Sequence, residues 1–562
     1  MAVEGSSSIV DGGTGGASQH APMRRKWRRG KPAEAKAASA VGGSAARGKV
    51  LWQAGRRGRK ATKAVSSQTE RPSFFKSFQY RLPFKPFPRK VYPMQPAAVS
   101  VQGDVFTSLL PFPVETVVRS PLPAAVPTLK HGLDSILDLV GVVPTIDFRR
   151  KTWNFPRSLR TITSPQSINL ENIPPFVPPS KDSILRRLAS AHDCRFLAST
   201  SSMSSLLFAC QQALSFMHKP HLSTNMPTLS TTEAGFTRRQ LSSKAVVLRQ
   251  AGDGVYTIDG AKGNLPSNNQ VLMDMGRCLE RLFTMHPVDF SENLLKPGGT
   301  LMPDEYKYTQ VGPFLLRSQI DVRHSIHEDA FYDIKTRAIR DIRLDVTHYE
   351  KYQKFKIQNL KNHRLSFETE FMDMVRASFP KNSLQMRIGG MKGLFVAYHN
   401  TADILGFETL TRDEVDCYTY GSPFAAEFFY KAALRMAEMM LDDLLRKLPP
   451  TRAIRIVVKP LLGGRLIYAA APLKEEEGFP EYSISWGGTP EHVYSGTLNT
   501  DIIVNNTRVR GPFYPLPEDK LEVYAGITPM EDEQIARTRY RQLMLETDLF
   551  LHSDFYDEEE DL

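Results

Sequence analysis

Ser318-Gln319-Ile320-Asp321-Val322-Arg323, followed after seven residues by Phe331-Tyr332-Asp333-Ile334-Lys335-Thr336-Arg337-Ala338, is the stretch on which the fold turns. Each run alternates polar and apolar residues, the period-two signature of a half-buried strand. Ile320, Val322, Ile334 and Ala338 fall on one face, and Gln319, Asp321, Arg323, Asp333, Lys335 and Arg337 on the other. The short loop 324–330 makes an antiparallel hairpin the natural pairing. A register with Arg323 opposite Phe331 sets Asp321 opposite Asp333 and Gln319 opposite Lys335. Facing Cβ atoms lie about 5 Å apart, and like charges there repel. Two opposed carboxylates call for a cation, and hard oxygen ligands suit Mg²⁺ or Mn²⁺. Lys335 projects from the same face, within reach of a phosphate or a metal-bound water. An isolated acid-x-Lys triplet is weak: Glu34/Lys36 and Glu518/Lys520 match it without such surroundings. The plain alternative is a solvated face with a surface ion pair worth about 0–1 kcal/mol. What separates this copy from the others is Asp321 in register.

The 562 residues suggest two to four domains, and a hydrophobic content of 41% is ample for a buried core. Of the net charge of +12, residues 1–70 carry +10, so the body is nearly neutral. Four cysteines with no C-x-x-C spacing argue against a zinc module and against a disulfide-rich secreted class. No apolar run approaches 18 residues, so no transmembrane helix is expected.

Residues 1–70 are rich in Gly, Ala, Ser and Arg and read as a disordered basic segment. Met23-Arg24-Arg25-Lys26-Trp27-Arg28-Arg29 has the chemistry of an organelle transit peptide, with a nuclear signal or an RNA-binding arm as rivals. Residues 71–130, dense in Pro and aromatics, read as an extended arm. The globular body is expected over 131–475, with a C-terminal extension and acidic tail over 476–562. Within the body, helices are expected near 132–140, 181–191, 199–217, 270–285, 366–379 and 423–448. Strands are expected near 195–198, 244–248, 255–258, 306–314, 393–398, 454–458 and 465–471. Past 475 the pattern reads as irregular with one helix near 531–547. Glu280 lies on the flank of the apolar stripe of its helix, positioned to point along the sheet. The hydroxyls Ser199-Thr200-Ser201-Ser202 cap the following helix or hold a phosphate there. This order gives an α/β (α+β) fold, a mixed central sheet flanked by helices.

Asp on the central hairpin and Asp-x-Lys on its partner strand resemble the PD-(D/E)xK nuclease core. Several further strings, in order, are similar to the fungal mitochondrial petite-one-two-seven family: Ser199-Thr200-Ser201-Ser202-Met203, Ser318-Gln319-Ile320-Asp321, Asp333-Ile334-Lys335-Thr336-Arg337-Ala338, and Gln385-Met386-Arg387-Ile388-Gly389 with Val396-Ala397-Tyr398-His399-Asn400-Thr401. The likeness covers roughly residues 130–475. It implies a mitochondrial RNA-processing and RNA-degrading nuclease, a 5′-to-3′ exoribonuclease. Single-stranded RNA (mitochondrial transcripts) would be its substrate, and the mitochondrial transcription machinery a partner. By motif, Asp321, Asp333 and Glu280 would bind Mg²⁺ or Mn²⁺, Lys335 would orient the attacking water, and Gln385 would help hold metal or substrate. The Pro that usually precedes the first Asp is Ile320 here, a tolerable departure because the carboxylate does the chemistry.

Arg323 and Arg337 share the carboxylate face, and with Arg387 they are candidate nucleic-acid contacts, since a guanidinium fork matches phosphate geometry. His324 and His327 lack a third ligand of known spacing and read as loop residues. The role of His399 stays open between structure and substrate contact. Two rival functions remain: an RNA-binding or transcription-accessory protein on a nuclease-like scaffold, and a DNA endonuclease on the same core.

Overall fold

The computed structural model describes residues 76–81 and 106–552, apart from 149, 223–234, 253, 262–269, 297–298, 300–302, 474–489 and 491. The basic segment 1–70, most of the arm up to 105 and the acidic end 553–562 lie outside the described residues. The elements around the candidate site are, in chain order, strand β1 (Phe196–Ser199), helices α1 (Thr200–Leu214) and α2 (Gln270–Thr284), strands β2 (Phe314–Ile320), β3 (Val322–Arg323) and β4 (Phe331–Ala338), helices α3 (Arg340–Leu344), α4 (Phe367–Ala377) and α5 (Phe379–Gly389), strands β5 (Gly393–His399) and β6 (Ile404–Thr411), and helix α6 (Pro423–Lys447).

Two sheets organise the described residues, one of twelve strands and one of five. In the larger, β1 is an interior strand, parallel to both Val255–Gly260 and β2, while the other pairings are antiparallel. Its core forms where the almost wholly buried α1 and the small-residue face of α6 cover it. Ser199 caps α1 through its hydroxyl, and Ser202 returns the bond to the Ser199 N–H, a capping box that satisfies two exposed donors at the helix start. The capping reading of these hydroxyls therefore holds.

The smaller sheet runs in the order Gly141–Pro144, β6, β5, β4, β3. Its central strand β5 is buried along its whole length. Phe395 and Ala397 face the cluster that includes Leu279 and Phe283 of α2. Leu394, Val396 and Tyr398 face the cluster that includes Phe371 of α4 and Met386 of α5. The sheet is thus sandwiched between α2 and the α4–α5 pair, as the alternation of β5 requires.

The expected hairpin register is observed: Phe331 pairs with Arg323 and Tyr332 with Val322, so Asp333 and Asp321 are the next residues in line. The ladder stops there. Gln319 pairs with Tyr306, not with Lys335, and Lys335 pairs with Val396. The reason is that β2 belongs to the larger sheet, where both its edges are already bonded, while β3 belongs to the smaller one. The chain steps from sheet to sheet at Asp321. The single apolar face divides accordingly: Ile320 and Ala338 pack with the α4–α5 cluster, Val322 and Ile334 with the α2 cluster.

Other differences have local causes. Residues 379–389 form a helix, α5, with Pro380 in its first turn and Gly390 closing it at φ +60°. The expected helix near 132–140 is a short 3₁₀ turn, Leu133–Ile136, after a left-handed Gly132. The stretch past 475 contributes strands Tyr494–Val504 and Leu521–Pro529 to the larger sheet, beside Arg465–Pro472, before the helix Glu533–His552. Among the described residues no helix is long and apolar enough to cross a membrane.

Candidate active site

Asp321 occupies the break between the two sheets, and its Oδ2 accepts the Ile334 N–H at 2.9 Å. That bond replaces the ladder bond lost where the strand turns, and holds the carboxylate against β4. Asp333 is buried, and Lys335 Nζ lies 2.5 Å from its Oδ2. Asp333 and Lys335 share register with Leu394 and Val396, so they stand on the sheet face that α4 and α5 cover.

Glu280 arrives from α2. One turn earlier, a Cβ on Gly276 would come within 3.3 Å of Thr336 Oγ1 on β4, so the glycine lets the helix lie close to the strand. Burial pushes the Glu280 carboxyl up to about 7; Lys335 draws it down, and Asp333 adds to the rise. Asp321 is raised well above the usual carboxylate range by burial, then by Asp333 and Glu280. Burial alone would lower the Lys335 ammonium, but Asp333, Asp321 and Glu280 outweigh it and hold it above its ordinary value. The three carboxylates and Lys335 therefore sense one another in a half-buried space, and one lysine does not balance them.

That shortage of positive charge, with a donor set made only of hard carboxylate oxygens, fits a divalent cation of the Mg²⁺ or Mn²⁺ type. Among the described residues no group of three or more His, Cys, Asp or Glu side chains is arranged so that it could hold a metal ion as it stands. The fit is one of chemistry and charge, with Lys335 as the present counter-ion of Asp333.

Gln385 lies on α5, and its Oε1 is buried with no hydrogen-bond partner in the structure. A buried amide oxygen left unpaired is uncommon and marks a position where a ligand or water completes the set. Lys381, one turn earlier on α5, was not apparent from the sequence. Its ammonium is lowered by burial first and then by Lys335, with Asp333 acting the other way, so it lies in the field of the same cluster. It also keeps solvent access, the setting of a cleft wall. The Lys381/Gln385 spacing of four becomes informative once 379–389 is recognised as a helix.

The three arginines are each engaged within the protein. Arg387 is 6% exposed and bound to Asp416 and Glu427 at 2.5 Å each. Arg323 donates from Nε to Val126 O at 3.2 Å and is also close to His324 O. Arg337 faces Glu370 at 3.5 Å and Asp373 at 3.9 Å on α4. His324 Nδ1 accepts the Ile326 and His327 N–H groups and its Nε2 contacts Asp138, a loop-shaping role. His399 is buried, accepts the Thr401 N–H, and is pushed down to about 3 by burial, which makes it a neutral structural group. All four cysteines are free, and burial raises every thiol, to about 11 for Cys194 and about 12 for the others.

Residues 176–445 match the family model described as Mitochondrial protein Pet127. This region is similar to the Pet127 family. The matched region contains Glu280, Asp321, Asp333, Lys335 and Gln385, and so the whole candidate site. The chain is 31% identical over 343 residues to "mRNA degradation protein pet127, mitochondrial" of Schizosaccharomyces pombe, covering 59% of this chain and 64% of that protein. It is 29% identical over 325 residues to PET127 of Saccharomyces cerevisiae, named as a candidate mitochondrial translation system component, covering 54% of this chain and 39% of that one. The chain thus spans less than two thirds of either relative's length. Among solved structures, Dxo1 of K. lactis in complex with manganese aligns over 66% of this chain and 98% of its own, at 11% identity and a TM-score of 0.29. Rai1 of Scheffersomyces stipitis aligns over 50% of this chain and 73% of its own, at 12% identity and a TM-score of 0.27. At such scores these overlaps carry no weight for the site.

Proposed function

We propose that the chain is a metal-dependent mitochondrial ribonuclease, acting 5′ to 3′ in the processing and degradation of mitochondrial transcripts. The observation that carries this reading is the alignment of Asp321 with Asp333 at the step between two sheets, with Lys335 on Asp333 and Glu280 in the same field. The family match and the names of the two relatives support the mitochondrial and RNA parts of the reading.

Asp321, Asp333 and Glu280 would hold Mg²⁺ or Mn²⁺, which when bound activates a water and neutralises phosphate charge. Lys335 keeps its proton, held by three carboxylates, and so can orient the attacking water and stabilise the developing charge on phosphorus oxygens. Lys381 supplies a second cation toward the scissile phosphate. The Gln385 amide, whose oxygen lacks a partner, positions water or substrate from α5. Single-stranded RNA is the expected substrate.

The test is cleavage of matched RNA and DNA strands, labelled at either end, by the full chain in Mg²⁺. Release of labelled mononucleotide from the 5′ end of RNA, with DNA left intact, is the expected result. Internal cuts in DNA would favour an endonuclease instead, and RNA bound but uncut would favour an RNA-binding accessory protein.

A further inference from the structure

Strand β4 does not end at the carboxylates. Beyond Lys335 it carries Arg337, and α3 follows with Arg340 and Arg343. Where α3, residues 363–365 and α4 meet, a cavity of about 480 Å³ opens, within the size range of small-molecule pockets. None of Glu280, Asp321, Asp333, Lys335 or Gln385 lines it, so it is distinct from the candidate active site.

Four arginines line this cavity, Arg340, Arg343, Arg364 and Arg376, against three aspartates. The aspartates are already engaged: Asp373 by Arg343 at 2.9 Å, Asp341 by Arg364, and Asp345 by the Tyr352 hydroxyl at 2.9 Å. Arg343 is aimed by β4 and α4, donating to Ala338 O at 2.9 Å and Glu370 Oε2 at 2.6 Å. Arg340 and Arg364 remain open to solvent, their side chains 26% and 68% exposed. A guanidinium presents five donors in a planar fork, so an ion pair with one carboxylate leaves donors for a phosphate. Leu344, Leu365 and the Tyr352 ring supply apolar lining, more than a bare phosphate needs.

We propose that this cavity binds a nucleotide, with Arg340 and Arg364 on its phosphomonoester and Leu344, Leu365 and Tyr352 against its base. The choice of a nucleotide over another phosphomonoester rests on the ribonuclease reading; the phosphate site itself does not. Arg337, between Lys335 and α3, links the cavity to the carboxylates along β4. The phosphomonoester comes either from a free nucleotide or from the end of an RNA strand.

The test is calorimetric titration of the full chain in EDTA, where metal-dependent cleavage is silent. The probes are adenosine 5′-monophosphate, adenosine, inorganic phosphate and glucose 6-phosphate. The nucleotide is expected to bind saturably, about ten-fold or more tighter than the other three. Arg364→Gln and Arg340→Gln, at solvent-open positions, should each weaken it about ten-fold with the melting temperature unchanged. An RNA carrying a terminal phosphate that displaces the nucleotide assigns the cavity to a substrate end, and failure to displace it assigns the cavity to a free nucleotide. Nucleotide binding no tighter than adenosine, or equal in wild type and both variants, overturns the proposal. Glucose 6-phosphate binding as tightly as the nucleotide overturns the nucleotide assignment. Cleavage of RNA with no nucleotide binding sinks the cavity alone, whereas nucleotide binding without cleavage sinks the ribonuclease reading alone.

Discussion

Arg387 is where the structure most sharply divides a structural role from a nucleic-acid contact, and Arg387→Met tests the division. The side chain is 6% exposed, between Asp416, whose own side chain is fully buried, and Glu427. Even with Arg387 beside it, burial raises the Asp416 carboxyl to about 6; Arg387 and a hydrogen bond from Ser383 are what restrain it. Removing the guanidinium leaves a buried carboxylate without its main partner, a change that costs about 3–5 kcal/mol. The sign with pH follows. A carboxyl whose folded pKa is raised loses stability as pH climbs from its unfolded value near 3.9 through its folded value, and without Arg387 that loss extends to higher pH. Arg387→Met is therefore expected to destabilise the protein by about 3–5 kcal/mol at pH 8 and by clearly less at pH 5. Arg387→Met combined with Asp416→Asn should recover much of the loss, because both partners are then uncharged. Urea unfolding of the single and double variants at the two pH values reads the effect, with RNA affinity measured below the transition. Unchanged stability together with lost RNA affinity would refute the reasoning and return Arg387 to the nucleic-acid surface.

Three other outcomes are expected. His218, His221 and His399 are buried and pushed down to about 4, about 3 and about 3, so below about pH 6.5 the unfolded chain takes up protons that the folded one refuses. Each should remove about 2 kcal/mol by pH 5, seen as a falling urea midpoint between pH 7 and pH 5. Gly276→Leu forces α2 away from Thr336 and should cost about 1–3 kcal/mol, and because Glu280 rides on that helix, cleavage should fall further than the melting temperature suggests. Lys381→Met should lower the rate of RNA cleavage by at least about ten-fold while leaving the melting temperature near wild type, since the side chain reaches solvent; an unchanged rate removes it from the site.

Much of the site was legible because a strand's period is short and strict. The alternation around Asp321 and Asp333, together with a seven-residue loop, was enough for the observed register. The change of sheet was not legible: Ile320-Asp321-Val322 continues the alternation without a break, and only the competing neighbours of β2 divert it. Arg387 read as a candidate nucleic-acid contact because its partners lie 29 and 40 residues downstream, on helices whose packing against α5 no local pattern reveals. Lys381 was missed with its helix, although Pro380 and the Gly389-Gly390 pair are ordinary start and stop signals. The strand Tyr494–Val504 was hidden by Gly496, Asn499 and Asp501, although its burial alternates from Thr497 to Ile502.

The central claim is that the opposed carboxylates and Lys335 form one metal-dependent site. The direct measurement is cleavage of end-labelled single-stranded RNA by the full chain, with Mg²⁺ or EDTA, as wild type, Asp321→Asn and Asp333→Asn, with RNA binding followed in parallel. Cleavage is expected only from wild type in Mg²⁺, with RNA still bound and the fold intact in both variants. Cleavage by either variant at the wild-type rate, or undiminished in EDTA, would contradict it.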